Sequence, residues 1–271
     1  MVSFVLQSIP AMHKFLCLII LMASLSASAI CIGKSKTTSN FPYVKTFSEA
    51  DVRPNANGWS FWFIPTGGVA DTLNLKMSHV DKGASLHGGH VHNHDEIFIV
   101  TEGKAIVNMN GEECTLDVGD AVYCPSGSNH SIRRAGTNAP VSYIMFNRII
   151  NGGIKTPYPF WKADYKMEDC HTRFEKDASF WYLRPEQTLG GLNIRSVLTD
   201  KGKTLKYAAD GRQMVIFVMD GTADITVTGK ETGRCQTVRL PAMSVCYVPK
   251  GAGCTVKAIG GKLRFIEART H

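Results

Sequence analysis

No Cys-x-x-Cys pair occurs in the 271 residues, although the chain has eight cysteines. The usual ligand spacing of a thiolate zinc site is therefore missing. After the first thirty residues no segment approaches the roughly eighteen apolar residues that a membrane-spanning helix needs, so no membrane is expected for the mature form. No long segment shows a 3.6-residue hydrophobic period, which argues against long amphipathic helices. Long basic stripes are lacking too. The net charge of +7 is spread out, and clusters as short as Ile132–Arg134 do not make a nucleic-acid face. No nucleic-acid partner is expected. Histidine is absent between His171 and His271.

What is present is ordinary globular material, 44% hydrophobic and 20% charged. Lys14, the apolar run Phe15–Ala23 and the small residues up to Ala29 have the form of a secretory signal. Residues 1–29 are read as that signal, and the mature protein is expected to be secreted or periplasmic. Cys17 lies in the signal, which leaves seven cysteines. An odd number in an exported chain leaves at least one unpaired or paired between chains. A lipid anchor on Cys31 fits poorly, because Ile30 precedes it where such sites use a small residue.

Strand signals dominate. Segments such as 96–100, 104–109, 121–124, 141–146, 213–219, 223–228, 244–248 and 262–268 are short and rich in β-branched and aromatic residues, with Gly, Asn, Asp or Pro between them. Asn110-Gly111 between two of them predicts a tight hairpin. The fold class is all-β, of sandwich or barrel type.

The sequence also repeats. Residues 73–86 match 192–205 at an offset of 119, sharing Leu-Asn, an aliphatic, a base, Asp-Lys-Gly and Leu. Residues 96–107 match 214–225 at an offset of 118, and 121–127 match 245–251 at an offset of 124. Two copies of one β-domain are expected: residues 55–150 and 188–271, after an extension at 30–54. Residues 151–187 join them. That joining segment is too aromatic for a flexible linker and is expected to pack along or between the barrels. Segment 59–64 is expected as an extra edge strand.

Four of the nine histidines, His87, His90, His92 and His94, fall within eight residues. Alternate residues of a strand share a side, so His90 and His92 can grip one ion. Glu96 opens the next strand, and His130 opens another. Three imidazoles and one carboxylate suit a first-row divalent metal, and the spacing by itself equally fits a solvated His-rich loop.

These residues resemble the two motifs of the cupin superfamily. The first motif is His90-Val91-His92, three residues, Glu96, six residues and Gly103. The second is Gly119, five residues, Pro125-Ser126-Gly127, two residues and His130; Arg134 stands where the family has Asn. The resemblance covers about residues 55–270, as a bicupin. It implies two tandem jelly-roll barrels (double-stranded β-helices), with one divalent transition metal per chain on His90, His92, Glu96 and His130. Manganese or iron heads the list of ions, followed by zinc, nickel and copper. In the second copy the ligand positions read Ala208, Asp210, Met214 and Cys254, so that site is expected to be degenerate.

Arg134 shares the inward parity of His130 and is a candidate to hold a substrate carboxylate or phosphate. Phe98 and Val100 share the parity of Glu96 and are expected as apolar wall. His87 and His94 are expected to be loop histidines rather than ligands. Three classes of function remain open. One is a Lewis-acid enzyme (isomerase, lyase, decarboxylase or hydrolase) acting on a small sugar- or carboxylate-like substrate. The others are a dioxygenase and a non-catalytic binding or storage protein. A small molecule is the expected partner, and a homo-oligomer is compatible.

Overall fold

The structure is a computed structural model that describes residues 42–136, 138–149, 161–163, 178–188, 191–229 and 233–270. The signal at residues 1–29, Cys31, Cys170 and most of the joining segment lie outside these residues.

Residues with branched or aromatic side chains pair wherever Gly, Pro or Asn does not interrupt them. The strands are β1 (Tyr43–Thr46), β2 (Arg53–Asn55), β3 (Gly58–Ile64), β4 (Leu73–Val80), β5 (His94–Glu102), β6 (Ala105–Met109), β7 (Glu112–Leu116), β8 (Ala121–Cys124) and β9 (His130–Arg134). They continue as β10 (Val141–Ile149), β11 (Trp161–Ala163), β12 (Ala178–Leu183), β13 (Leu192–Thr199), β14 (Thr204–Tyr207), β15 (Gln213–Thr228), β16 (Cys235–Pro241), β17 (Ser244–Val248) and β18 (Gly253–Thr270). Among the described residues there is no α-helix.

The first barrel sets the sheet β11-β8-β5-β10-β4-β3-β2 against the smaller sheet β7-β6-β9. The second follows β1-β17-β15-β18-β13-β12, with β14 on β18 and β16 on β15. Its long strands β15 and β18 do the work of two strands each, with register breaks around Asp220. Gly103 and Gly221 mark the same corner in the two copies. Both have positive φ, and a Cβ there would lie 2.1 Å from Pro140 O or 2.3 Å from Lys262 O. Only glycine fits either corner. The β6–β7 hairpin turns on Asn110 and Gly111, both at positive φ, as expected for a two-residue turn.

The repeat extends further than residues 73–86 and their match. Ser60-Phe61-Trp62 on β3 recurs as Ser179-Phe180-Trp181 on β12 at the same offset of 119. β12 pairs with β13, so part of the segment read as joining the barrels is the edge of the second sheet. Edge strands are also exchanged. β1, from the N-terminal extension, pairs with β17 of the second barrel, while β11 pairs with β8 of the first. Segment 59–64 is β3, and β2 covers its outer edge.

Alternation on β5 divides the core. Phe98 and Val100 point into the first barrel with Val107, Ile132 and Tyr143. Ile97 and Ile99 point outward and join Phe61, Phe63, Phe146, Phe217 and Ile266 in a second layer shared by both barrels. Phe63 meets Phe217 edge-on at 5.0 Å between ring centroids. Fully burying each such phenylalanine contributes about 1.5–3 kcal/mol, so this shared layer fixes the barrels to each other. The interior of the second barrel is a separate apolar cluster around Ile216, Val256 and Phe265. Cys124, Cys235, Cys246 and Cys254 are free thiols.

Candidate metal centre

Three stretches of chain meet inside one end of the first barrel. The loop after β4 carries His90 and His92, β5 starts with His94 and Glu96, and β9 starts with His130. His90 and His130 are locked to each other by two backbone hydrogen bonds of 3.1 Å. The carbonyl of His92 accepts from Gly127 N at 2.8 Å, which ties the histidine loop to the Pro125-Ser126-Gly127 turn. Asp95 faces away from Glu96 and holds the same turn. Its carboxylate accepts from Ser126 N at 2.9 Å and pairs with Arg148.

The imidazoles gather around one carboxylate. His130 Nε2 lies 3.0 Å and His92 Nε2 3.3 Å from Glu96 Oε2, and His94 Nε2 lies 3.2 Å from Glu96 Oε1. The nitrogens of His90, His92 and His130 lie within 4.8 Å of one another, and so do the donor atoms of His92, His94 and Glu96. Ser128 O, 3.0 Å from His130 Nδ1, fixes that ring so that Nε2 faces the cluster. Both ring nitrogens of His92 are buried without a hydrogen bond. A buried polar atom left without a partner is costly unless a ligand completes it.

Electrostatics agree with an ion here. Burial by itself would push the Glu96 carboxyl up. The imidazoles of His130, His92 and His94 outweigh it and hold the group far below the usual carboxylate range, so it is an anion. Burial, with the nearby His130 and His87, pushes His90 down toward the neutral form that binds metal. One carboxylate with several imidazoles, and no thiol among them, is a donor set for a divalent transition metal. The residues present fit such an ion.

The four ligands expected from sequence are therefore together. His94 joins them, contrary to the expectation of a loop histidine. β5 starts at His94, which puts it on the same face as Glu96, and its ring stacks on His92 at 3.5 Å. His87 stands at the edge, its ring 4.6 Å from that of His90. A cavity of about 440 Å³ opens on the cluster. Its wall includes His87, His90, His92, His94 and Glu96, together with Trp62, Asn74, Lys76, Met145 and Asn147.

Two expectations for substrate contacts are corrected. Arg134 does point inward and is buried, but at the end of β9 it meets main chain and not the cavity. Its Nε donates to Gly83 O at 2.9 Å, and its Nη1 donates to Asp81 O at 3.1 Å and Ala139 O at 3.3 Å. It fastens the start of the histidine loop. Phe98 is inward too, 5.9 Å from the His130 ring, yet it lies in the apolar core and is not part of the cavity wall. Wall positions come instead from β3, β4 and β10. Lys76, on β4, was not singled out by sequence beyond being the repeated base.

The second barrel has different chemistry at the same place. Tyr207 pairs with Cys254 as His90 pairs with His130, so Tyr207 and not Ala208 occupies the first ligand position. Asp210 O accepts from Gly251 N as His92 O accepts from Gly127 N. Met214 faces Arg269 where Glu96 faces Asn147. Arg195 and Arg269 both donate to the buried Glu267, at 2.8–2.9 Å and 2.5 Å. Arg269 also lies 3.5 Å from Asp210. Ion pairs fill the place of the ligand cluster.

Comparison with known proteins fits this geometry. Residues 76–147 match the cupin domain family. Among solved structures, the formate complex of Lactobacillus farciminis oxalate decarboxylase is similar, with a TM-score of 0.68, 15% identity, and 88% of each chain covered. A variant of Bacillus subtilis oxalate decarboxylase has a TM-score of 0.66 at 17% identity, over 87% of this chain and 78% of its own. No curated relative matches.

Proposed function

We propose that this chain, whose residues 76–147 match the cupin domain family and whose fold is that of the two-barrel cupins, is a member of the cupin superfamily and a metal-dependent enzyme acting on a small, oxygen-rich carboxylate. The reaction class is decarboxylase, isomerase or lyase. The observation that carries this reading is the gathering of His90, His92, His94 and Glu96 on the wall of a cavity of about 440 Å³, with the buried His130 beside them. That volume suits one small molecule. The ion we assign is manganese. Nitrogen and carboxylate donors suit it, and Mn(II) centres are recorded for Bacillus subtilis oxalate decarboxylase, whose fold is similar.

His90, His92, Glu96 and His130 would hold the ion, and a bound divalent ion supplies Lewis acidity toward substrate oxygens. The protein supplies the rest. Met145 and Trp62 exclude water from one side of the cavity, and Asn74 and Asn147 offer polar contacts that orient a substrate. His94, bonded to Glu96, and His87, at the rim, are the titratable groups placed to take or give a proton. The sequence pattern of residues 1–29 supports export, which N-terminal sequencing of the purified protein tests: a start near Ile30 is expected.

The enzymatic reading is tested with manganese-loaded protein and a panel of oxalate, malonate, glycerate and glucuronate. Carbon dioxide release and product formation are followed with and without oxygen. Conversion of at least one acid that needs the metal but not oxygen is expected. Conversion that consumes oxygen, or none by fully loaded protein, contradicts the reading.

A further inference from the structure

We propose that Lys76 is the substrate anchor of the first barrel, and that the cavity takes a hydroxylated carboxylate whose negative group rests on its ammonium. This deepens the reading of the metal site and rests on it for the cavity's use. The first observation is an ammonium without a direct hydrogen bond or ion pair, attracted only at longer range by the Glu96 carboxylate. Lys76 is half-buried on β4, its neighbours on that strand are apolar, and it lines the same cavity as Glu96. Among the described residues its ammonium has no hydrogen bond or ion pair, and it lies 5.3 Å over the Trp62 ring. A cation removed from water without a partner is unfavourable, and an anion brought to it is correspondingly held.

The repeat supplies an internal control. Lys76 pairs across the sheet with Met145 and with Trp62. In the second barrel Arg195 pairs in the same register with Glu267 and with Trp181. The stacking recurs as well, Arg195 lying 5.3 Å over Trp181. One difference separates the two places. The residue opposite the cation is a carboxylate in the second barrel and a methionine in the first. The second barrel pairs its cation directly with a carboxylate, and the first leaves it beside the cavity with no ion pair.

The hydroxyl requirement comes from two more groups. Asn74 and Asn147, directly opposite each other on β4 and β10, both line the cavity. Each has a buried carboxamide oxygen with no hydrogen-bond partner. Acceptors in that state call for donors, and substrate hydroxyls provide them. A carboxylate on Lys76 and hydroxyls toward Asn74 and Asn147 describe a sugar acid or a short hydroxy acid.

The experiment uses two matched pairs of probes, glucuronate with glucose and glycerate with glycerol. Binding is measured calorimetrically to the full-length protein, manganese-loaded and manganese-free, together with Lys76→Met and Lys76→Arg. The wild type is expected to bind each acid at least about tenfold tighter than its neutral partner, the effect of one charge-assisted hydrogen bond. Lys76→Met is expected to lose that preference with manganese content unchanged, and Lys76→Arg to keep most of it. A wild type that binds acid and neutral partner alike overturns the proposal without recourse to any variant. Equal acid binding by Lys76→Met and wild type at equal manganese content also overturns it and leaves the metal reading intact. Acid preference that depends on Lys76 in a protein that never retains metal supports the anchor and removes the metal reading.

Discussion

The two barrels are copies of one another, and they have solved the same local problem in opposite ways. Each closes a jelly roll around an inward-facing strand end that must hold polar groups. In the first, Glu96 collects His130, His92 and His94 and leaves His92 with unsatisfied nitrogens. In the second, Met214 replaces that glutamate, and the buried Glu267 is neutralised by Arg195 and Arg269. The difference shows what a functional site costs a fold. The second barrel satisfies its charges from within. The first keeps a cluster of imidazoles around Glu96 and a lysine with no ion pair on the wall of the same cavity.

The comparison is broken most directly at the ligands. His92→Ala and His130→Ala are each expected to lower metal affinity by about a hundredfold or more, since even the groups supporting a ligand are worth about 10–100-fold. Elemental analysis after dialysis reads this, and full retention in both variants would remove the site. Glu267→Gln tests the other barrel. It leaves Arg195 and Arg269 without their buried counter-ion and is expected to cost about 2–3 kcal/mol in urea unfolding. That is less than a fully buried pair would lose, because both arginines are partly exposed. Metal content should stay the same. A neutral change would mean that the ion pairs do not hold the second barrel closed.

Gly103→Ala and Gly221→Ala probe what the copies share. Both put a Cβ against a carbonyl oxygen at positive φ. Each is expected to cost about 1–3 kcal/mol, similar in the two barrels. A large asymmetry in thermal or urea unfolding would show that the corners are not equivalent. The smallest effect sharpens the corrected role of Arg134. Arg134→Lys loses the fork that spans the carbonyls of Asp81, Gly83 and Ala139. A loss of about 1–2 kcal/mol in stability is expected, with acid binding per folded molecule unchanged. Weakened acid binding at full stability would return Arg134 to the cavity.

Much of this was legible in the sequence. Alternation, turn residues and the repeat point to two β-barrels, because those signals are local or periodic. That His90, His92, Glu96 and His130 come together in the fold was legible through their resemblance to the cupin motifs. His94 was misread because the strand starts two residues earlier than a turn at Asn93-His94-Asp95 suggests, and strand parity then turns it inward with Glu96. Arg134 had the right parity, but parity does not say whether an inward side chain ends at a cavity or at the main chain. Phe98 illustrates the same limit. Lys76 left a trace: it is the one charged residue in Leu73–Met77, and the repeat has a base at the same place. The partners of β1 and β11 were not legible, since three or four residues do not specify which distant edge they will cover.

The central claim is that one barrel binds metal and the other has replaced it with ion pairs. Counting ions per chain tests it most directly, by elemental analysis of the full-length protein saturated with Mn(II) and then dialysed. The account predicts one tightly held ion per chain. Two ions per chain, or none, would contradict it.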